Sequence, residues 1–437
     1  MKLLPALRGC IALTLTVAAL GCGQQPKHLV LITVDTLRAD RIGAYGYQAA
    51  KTPVIDSLAG ESIRFEHAYS HASLTKPAVA SLLTGQLADQ HGVYHNQGKL
   101  NPEVRTLAEQ LSAHGFESAA FIGNYILRRG YGLERGFANY TDEFVSMELK
   151  RPIPENPAGV LVADALEWVA AQAPDRRLFL WLHLLEPHGP YTPPDFERPP
   201  RIPGEAALPE SRSQSGRNAI PRYQWLGHGR LSEYLLRYDA EITDVDRHLG
   251  TLMQGLRENG ILEDSVVVFT SDHGEAFGED DLYCAHGEGL GDVLLRVPLL
   301  LRVPGESPAV RNDLVRLIDV MPTLLESLGI ESERLPGETI LRDRGDRRLI
   351  SQSVNFRQGR AWRGLRDDGF EIIQEKGGAT VIRHTSPTGL GEEKGIPAQV
   401  REQLRAELER VSRWHEVGAV RLQPGEQRAL RALGYVE

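Results

Sequence analysis

The residues best suited to chemistry stand immediately after apolar runs. Asp35 follows HLVLITV (28–34), and Asp272 and His273 follow the hydrophobic run 265–270. Thr75 lies in the polar half of SHASLTKPAVASLLTG (70–85), directly before an apolar stretch of small residues. Two carboxylates, an imidazole and a hydroxyl make a mixed oxygen and nitrogen donor set, suited to a divalent ion such as Zn²⁺ or Mn²⁺. Two more histidines are presented by turns: His188 between Pro187 and Pro190, and His286 in Cys284-Ala285-His286-Gly287. The loop HGVYHN (91–96) offers further polar groups able to face a site, Asn96 among them. Each residue also has a plainer reading. Thr75 and Asp35 suit helix or turn caps. His183, inside an apolar run, suits a core, while Asp244 and Asp246 fall off the apolar stripe of their segment and suit a solvated face.

For these groups to meet, the runs that carry them must be neighbouring strands. HLVLITV is a nearly continuous apolar run with β-branched residues, as in a parallel strand buried on both faces. Residues 63–68, 118–122, 178–185, 265–270 and 296–303 read as further strands. Helices are expected over 52–62, 104–114, 159–173, 232–259 and 313–328, the last broken or restarted at Pro322. The alternation predicts an α/β fold, a doubly wound and mostly parallel sheet flanked by helices. Ligands of such sheets gather at the C-terminal edge of the strands. A helix starting at about Lys76 has Pro77 in its first turn, where no backbone N–H is needed. Thr75 then sits beside the positive end of that helix. Residues 199–230, rich in Pro, Arg, Ser and Gly, read as an irregular excursion forming part of a substrate rim. From about 349 the pattern changes to short β pieces (362–365, 370–374), with helices over 397–411 and 425–433. That is a small C-terminal α+β subdomain.

The chain of 437 residues is 41% hydrophobic and 24% charged, an ordinary globular composition for one large domain with an appendage. A net charge of −9 argues against broad nucleic-acid binding but leaves room for an anionic substrate met by local cations. Lys2 and Arg8 precede the apolar run 11–20, which is too short to span a bilayer and reads as a signal segment. Its end, Ala19-Leu20-Gly21-Cys22, resembles a bacterial lipoprotein processing site. Cleavage before Cys22 gives an exported cell-envelope protein, tied to the membrane only by an N-terminal lipid. Cys10 and Cys22 belong to this leader, so Cys284 stands alone and no internal disulfide is expected.

Seven segments carry a family resemblance: LITVDTLRAD (31–40), TKPAVASLLTG (75–85), HGVYHN (91–96), LHLLEPHGPYTPP (182–194), FTSDHGEAFGE (269–279), HGEG (286–289) and RVPLLLRVPG (296–305). Together they resemble the sulfatase branch of the alkaline phosphatase superfamily along almost the whole mature chain. The closing LRALGYVE (430–437) is similar to the family's usual end. The resemblance implies a catalytic domain over 27–335 and a C-terminal subdomain over 336–437. It implies a divalent metal (Zn, Mn, Mg or Ca) held by Asp35, Thr75, Asp272 and His273, with Thr75 in the place of the nucleophile. It sets His188 and His286 at the leaving oxygen, and Asn96 with the helix start at Lys76 on the transferred group.

The departures from that family pattern bear on chemistry. True sulfatases carry Cys or Ser, any residue, Pro, Ser, Arg, and oxidise the first residue to formylglycine. Here the stretch is Thr75-Lys76-Pro77-Ala78-Val79, so no formylglycine is expected. Thr36 stands where many sulfatases have a second metal-binding aspartate, and His286 where many have lysine. A threonine nucleophile belongs to the phosphodiesterase and phosphoglycerol- or phosphoethanolamine-transferase branches. The expected activity is therefore hydrolysis or transfer of phosphate esters, phosphodiesters foremost, on a small-molecule, glycan or lipid ester. The alternatives are sulfate-ester hydrolysis without formylglycine, and a non-catalytic envelope lipoprotein that binds anionic glycans or lipid headgroups.

Overall fold

In the computed structural model, eight strands form one sheet in the order β8-β2-β7-β6-β1-β5-β3-β4. They are β1 (His28–Val34), β2 (Ile63–Tyr69), β3 (Phe116–Ile122), β4 (Asn139–Thr141), β5 (Arg177–Leu184), β6 (Ser265–Ser271), β7 (Arg296–Arg302) and β8 (Ala309–Arg316). Only β7 runs against its neighbours, antiparallel to both β6 and β2, so the sheet is mixed but mostly parallel as expected. The structure describes residues 25–414 except 149–152, 195, 199–207, 228, 343–346, 356–357, 368, 387–388 and 391–395. The leader with Cys22, the helix expected over 425–433 and the closing motif lie outside the described residues. Among the described residues, no helix is long and apolar enough to cross a membrane.

Alternation along β1 divides the core into two layers. Leu29 and Leu31 pack with α2 (Thr75–Thr84), α3 (Leu107–Ala113) and α6 (Val320–Ser327) on one face. Val30, Ile32 and Val34 pack with α1 (Pro53–Gly60), α4 (Ala158–Ala170) and α5 (Leu231–Glu258) on the other. Both faces are therefore covered, which is why the strand is apolar throughout. Register then levels the functional edge: Val34 stands opposite Ser271 on β6 and Leu184 on β5. Asp35, Asp272-His273 and the turn after Leu184 consequently leave the sheet side by side.

Three expectations are corrected. Residues 313–328 are not one interrupted helix: Ala309–Arg316 is the edge strand β8, parallel to β2, and α6 begins at Val320. Pro322 falls in the first turn of α6, a position that tolerates the missing N–H, so it marks a start and not a break. Asp246 is not on a solvated face: it is buried, and its carboxylate accepts the N–H groups of Val54 and Ile55 at the start of α1. A 28-residue helix packed against both α1 and α4 buries more than its apolar stripe. The helix expected from 104 starts at Leu107, because Thr106 caps it and exchanges hydrogen bonds with Glu109.

A second, antiparallel sheet follows, built from β9 (Leu349–Asn355), β10 (Arg360–Arg366), β11 (Phe370–Glu375), β12 (Thr380–Ser386) and β13 (Gly389–Leu390). The helix α7 (Ala398–Val411) buries Leu404 and Leu408 against Leu365 and Ile372 of this sheet. Its link to the main body is buried and both apolar and polar: Leu349 and Trp362 pack with Tyr69, Leu290, Leu295 and Leu314. Arg366 pairs with Asp292 at 2.6 Å and lies over the Tyr69 ring, while Gln352 N donates to the His71 carbonyl at 2.8 Å.

Two buried histidines give a pH prediction. Burial holds His91 down to about 3 and His71 to about 4, so both fold neutral. The unfolded chain protonates them near the ordinary 6.5, so it binds more protons below that pH. Stability is therefore complete above pH 6.5 and falls by up to about 1.4 kcal/mol per pH unit for each histidine, down to about pH 4. Melting curves of wild type and His91→Gln between pH 7 and 5 should diverge in slope, the variant being less sensitive. Parallel slopes would contradict this.

Candidate active site

Asp35 sits at the end of β1, fully buried, with its N–H donated to the Leu184 carbonyl at 2.9 Å. The backbone turns at once, through Thr36 at φ +57°. Tyr238 of α5 holds this strained residue, donating its hydroxyl to the Thr36 carbonyl (2.7 Å) and accepting the Arg38 N–H (2.9 Å). From β6, Ser271 Oγ accepts the Leu37 N–H and donates to the His273 carbonyl, stitching the two loops together.

Asp272 and His273 face Asp35 across that stitch. Asp272 Oδ1 accepts the N–H groups of Thr36 and His273 at 3.1 and 2.8 Å, which leaves Oδ2 as its inward oxygen. His273 Nδ1 lies 2.9 Å from the Gly274 carbonyl, which can only accept. Nδ1 therefore carries the proton, and Nε2 presents a bare lone pair. That lone pair is 3.5 Å from Asp272 Oδ2, 3.9 Å from Asp35 Oδ1 and 3.5 Å from Thr75 Oγ1. Neither Asp35 Oδ1 nor Asp272 Oδ2 has a hydrogen-bond partner. The three ligand atoms lie within 4.8 Å of one another. Lone pairs converging in a buried space with no proton between them are what a divalent cation requires, so these residues fit one.

The electrostatics agree. Burial raises both carboxyls, but His183, His188 and His273 around Asp35 more than offset this and hold it below the ordinary range. Asp272 is pushed up, by burial first and by the Asp35 charge second. One carboxylate is thus charged at the expense of the other, a conflict that a shared cation removes.

Thr75 is the first helical residue of α2, with Leu74 at the N-cap position, and its hydroxyl lies 3.5 Å from His273 Nε2. Thr75 is therefore not the cap of this helix, contrary to the plainer reading, and its hydroxyl is turned to His273. The helix start differs from expectation in one respect. Lys76 N donates to Asn96 Oδ1 at 3.0 Å, Pro77 has no N–H, and Ala78 N donates to Leu74 O. Positions 76–78 therefore offer no spare N–H to a substrate oxygen. With Asn96 Oδ1 occupied as acceptor, its amide N–H₂ is the donor left to it. Lys76 is buried, its ammonium 3.1 Å from the centre of the Tyr131 ring.

His286 stands on the opposite side, its ring 4.5 Å from that of His273 and 5.3 Å from that of His188. Its Nδ1 is 3.1 Å from Glu275 Oε1, and the other oxygen of this buried carboxylate accepts the Tyr191 hydroxyl at 3.0 Å. Burial alone would lower His286, but the Glu275 charge and hydrogen bond outweigh it and raise its pKa. His286 therefore keeps a proton above the ordinary range, with Nδ1–H on Glu275 and Nε2–H available. His188 borders a cleft shared with Asn124, Tyr125 and Glu155.

Two residues at the site were not singled out by sequence, and a third, His183, was read only as core. Asn124 leaves β3 as Asp35 leaves β1, and donates to Asp35 Oδ2 at 2.5 Å; the shared strand edge was its signal. Glu275 lay in plain view in SDHGE, but its partner His286 is eleven residues away across a hairpin. His183 is buried as a core histidine should be, with Nδ1 2.8 Å from Thr33 Oγ1, yet its Nε2 faces Asp35 Oδ2 at 3.5 Å. It borders the site.

A covered α/β sheet carrying acids, imidazole and hydroxyl on one strand edge defines an ester hydrolase of the alkaline phosphatase type. The sulfatase family model matches residues 27–330, well over half of the chain. The chain belongs to the sulfatase family. An ulvan-active sulfatase of Formosa agariphila is 28% identical over 75% of this chain and 68% of its own. Among solved structures, a phosphonate monoester hydrolase of Agrobacterium radiobacter superposes with a TM-score of 0.69 at 20% identity, covering 89% and 95% of the two chains. A 2-O glycosaminoglycan sulfatase superposes with a TM-score of 0.70 at 18% identity, covering 89% and 92%.

Proposed function

We propose that this member of the family hydrolyses phosphate esters, phosphodiesters foremost, with Thr75 as nucleophile. The observation that carries the reading is the placement of Thr75 Oγ1, 3.5 Å from His273 Nε2, on a residue that stands one position past the N-cap. The formylglycine signature is missing at both ends, since Val79 stands where its arginine would and is buried in the apolar core. The likeness to a phosphonate monoester hydrolase supports a phosphorus centre. The sulfatase relatives favour a second reading, sulfate-ester hydrolysis by the same hydroxyl. We propose as well that the protein is exported as a lipoprotein, a reading supported by the signal-like run 11–20 ending at Cys22.

Asp35, Asp272 and His273 would hold the divalent cation, with Thr75 beside them. When bound, it supplies Lewis acidity that lowers the pKa of a hydroxyl and draws an anionic ester into place. The chain's own residues do the rest. Thr75 reacts as its alkoxide, its hydroxyl proton given up to solvent beforehand. Its Oγ attacks phosphorus in line, forming the Oγ–P bond as the bond to the leaving oxygen breaks, and departs as the same alkoxide when the group is released. His286 Nε2–H gives its proton to that oxygen, and Glu275 steadies the imidazolium before transfer. Asn96 donates to a non-bridging oxygen. Water, deprotonated by the now neutral His286, releases the group from Thr75 and restores the proton.

One metal-loaded preparation assayed in parallel against aryl sulfate, aryl phosphate monoester and aryl alkyl phosphate diester tests the reading. The diester is expected to show the highest kcat/KM, by at least about tenfold over the sulfate. A faster sulfate ester would establish the second reading instead.

A further inference from the structure

Glu288 lies two residues beyond His286, outside the reacting centre, and is 2% exposed. Its carboxylate is clasped from several sides. Arg360 Nη1 donates to Oε2 at 2.8 Å, Arg217 Nε approaches the same oxygen at 3.4 Å, and Asn355 Nδ2 donates to Oε1. Arg217 Nη2 also donates to the Glu288 carbonyl at 2.6 Å. Arg360 and Asn355 come from the second sheet, on β10 and β9. Arg217 comes from the excursion before α5, which docks on the hairpin below: Asn218 N donates to Asp281 O, and Tyr283 N to Gly216 O.

The backbone around Glu288 cannot hold itself. Gly287 and Gly289 lie at φ +77° and +155°, conformations with little intrinsic preference to fix a histidine nearby. Outside groups hold both. Ser353 of β9 donates to the Gly287 carbonyl at 3.4 Å, and Ser73, two residues before Thr75, donates to the Gly289 carbonyl at 2.7 Å. The two hydroxyls are 3.2 Å apart, so one cluster ties the Thr75 loop, the His286 loop and the second sheet. A buried carboxylate with two guanidinium partners is costly to assemble and gives little net stability, which leaves geometry as its use.

We propose that Glu288 is a positioning residue: clasped by Arg217 and Arg360, it fixes loop 286–289 so that His286 meets the leaving oxygen. This rests on the proton-donor role proposed for His286. Glu288 is buried and its carboxylate oxygens are engaged by Arg217, Arg360 and Asn355, so its action is through His286. A donor displaced by about an ångström costs on the order of 10²-fold, and the loss is felt only where the leaving oxygen needs its proton.

The test uses the full-length, metal-loaded protein and ethyl aryl phosphate diesters with 4-nitrophenyl, 4-chlorophenyl and phenyl leaving groups. Aryl sulfates of the same phenols replace them if sulfate is the faster class. His286→Ala sets the reference, its loss growing from a few-fold with nitrophenyl to about 10²-fold with phenyl. Glu288→Gln keeps the size and removes the charge. It is expected to show the same graded loss in kcat, about tenfold or more with phenyl, with KM within about twofold. Arg360→Gln, at a partner whose side chain is 25% exposed, carries the test should Glu288→Gln not fold. Equal losses for the three esters in a folded variant, or none, overturn the positioning role. If His286→Ala itself shows no gradation, the reading of His286 falls, and this inference with it.

Discussion

Thr75→Ala is expected to lower kcat on the order of 10⁴-fold or more while leaving fold and metal content intact. The magnitude follows from removing a nucleophile, the one loss that positioned donors and metal cannot replace. The intact fold follows from the structure. Thr75 is the first helical residue, one past the N-cap Leu74, and alanine is a better helix former than threonine. Were Thr75 an ordinary cap, alanine would instead cost about 1 kcal/mol of stability and leave turnover alone. Thr75→Ser, which keeps the hydroxyl, should retain activity within about 10²-fold. Kinetics, a melting curve and elemental analysis on the same three preparations separate the two outcomes.

Asp272→Asn has the second-largest expected effect, and on a different quantity. The substitution keeps Oδ1 as acceptor for the Thr36 and His273 N–H groups but removes the charge at Oδ2. Metal affinity should fall at least about 10²-fold, since removing a ligand exceeds the usual penalty for disturbing the residues that orient one. Activity should fall with it and return in part at high metal concentration. Stability should move the other way in metal-free protein. Burial and the Asp35 charge already raise Asp272, so neutralising it relieves repulsion. The metal-free variant should melt at or above the metal-free wild type, and the metal-loaded wild type should melt above both. A variant that binds metal as wild type does would take Asp272 out of the ligand set.

The strand edge was legible because burial on both faces leaves an unmistakable pattern. HLVLITV has no polar face to confuse its reading, and its register with β5 and β6 brings Asp35, Asp272 and the His188 turn together. The edge strand β8 was illegible for the opposite reason. It borders β2 on one side only, and its outer half is exposed at Ala309, Val310 and Asn312. Polar positions there mimic a helix surface. Asp246 was misread because burial against α1 is set by tertiary packing, which one helix's periodicity does not contain. At the site, sequence could place Thr75 beside a helix start but not say which donors were already spent. Asn96 takes the Lys76 N–H, and that single bond spends the helix-start donor and leaves the amide N–H₂ as the donor of Asn96. The Glu275–His286 pair needed the hairpin, because nothing in the spacing alone turns those two side chains toward each other.

The most direct test is acid-quenched mass spectrometry of the metal-loaded enzyme during turnover of an ethyl aryl phosphate diester. In-line attack leaves the ethyl phosphoryl group on Thr75 Oγ as the aryl alcohol departs. The peptide containing Thr75 should therefore carry an ethylphosphoryl adduct that forms with the first turnover and decays when substrate is spent. The same peptide should stay unmodified in Thr75→Ala. An adduct on another residue, or product accumulating with no adduct on Thr75 at any time, would contradict the assignment of Thr75 as nucleophile.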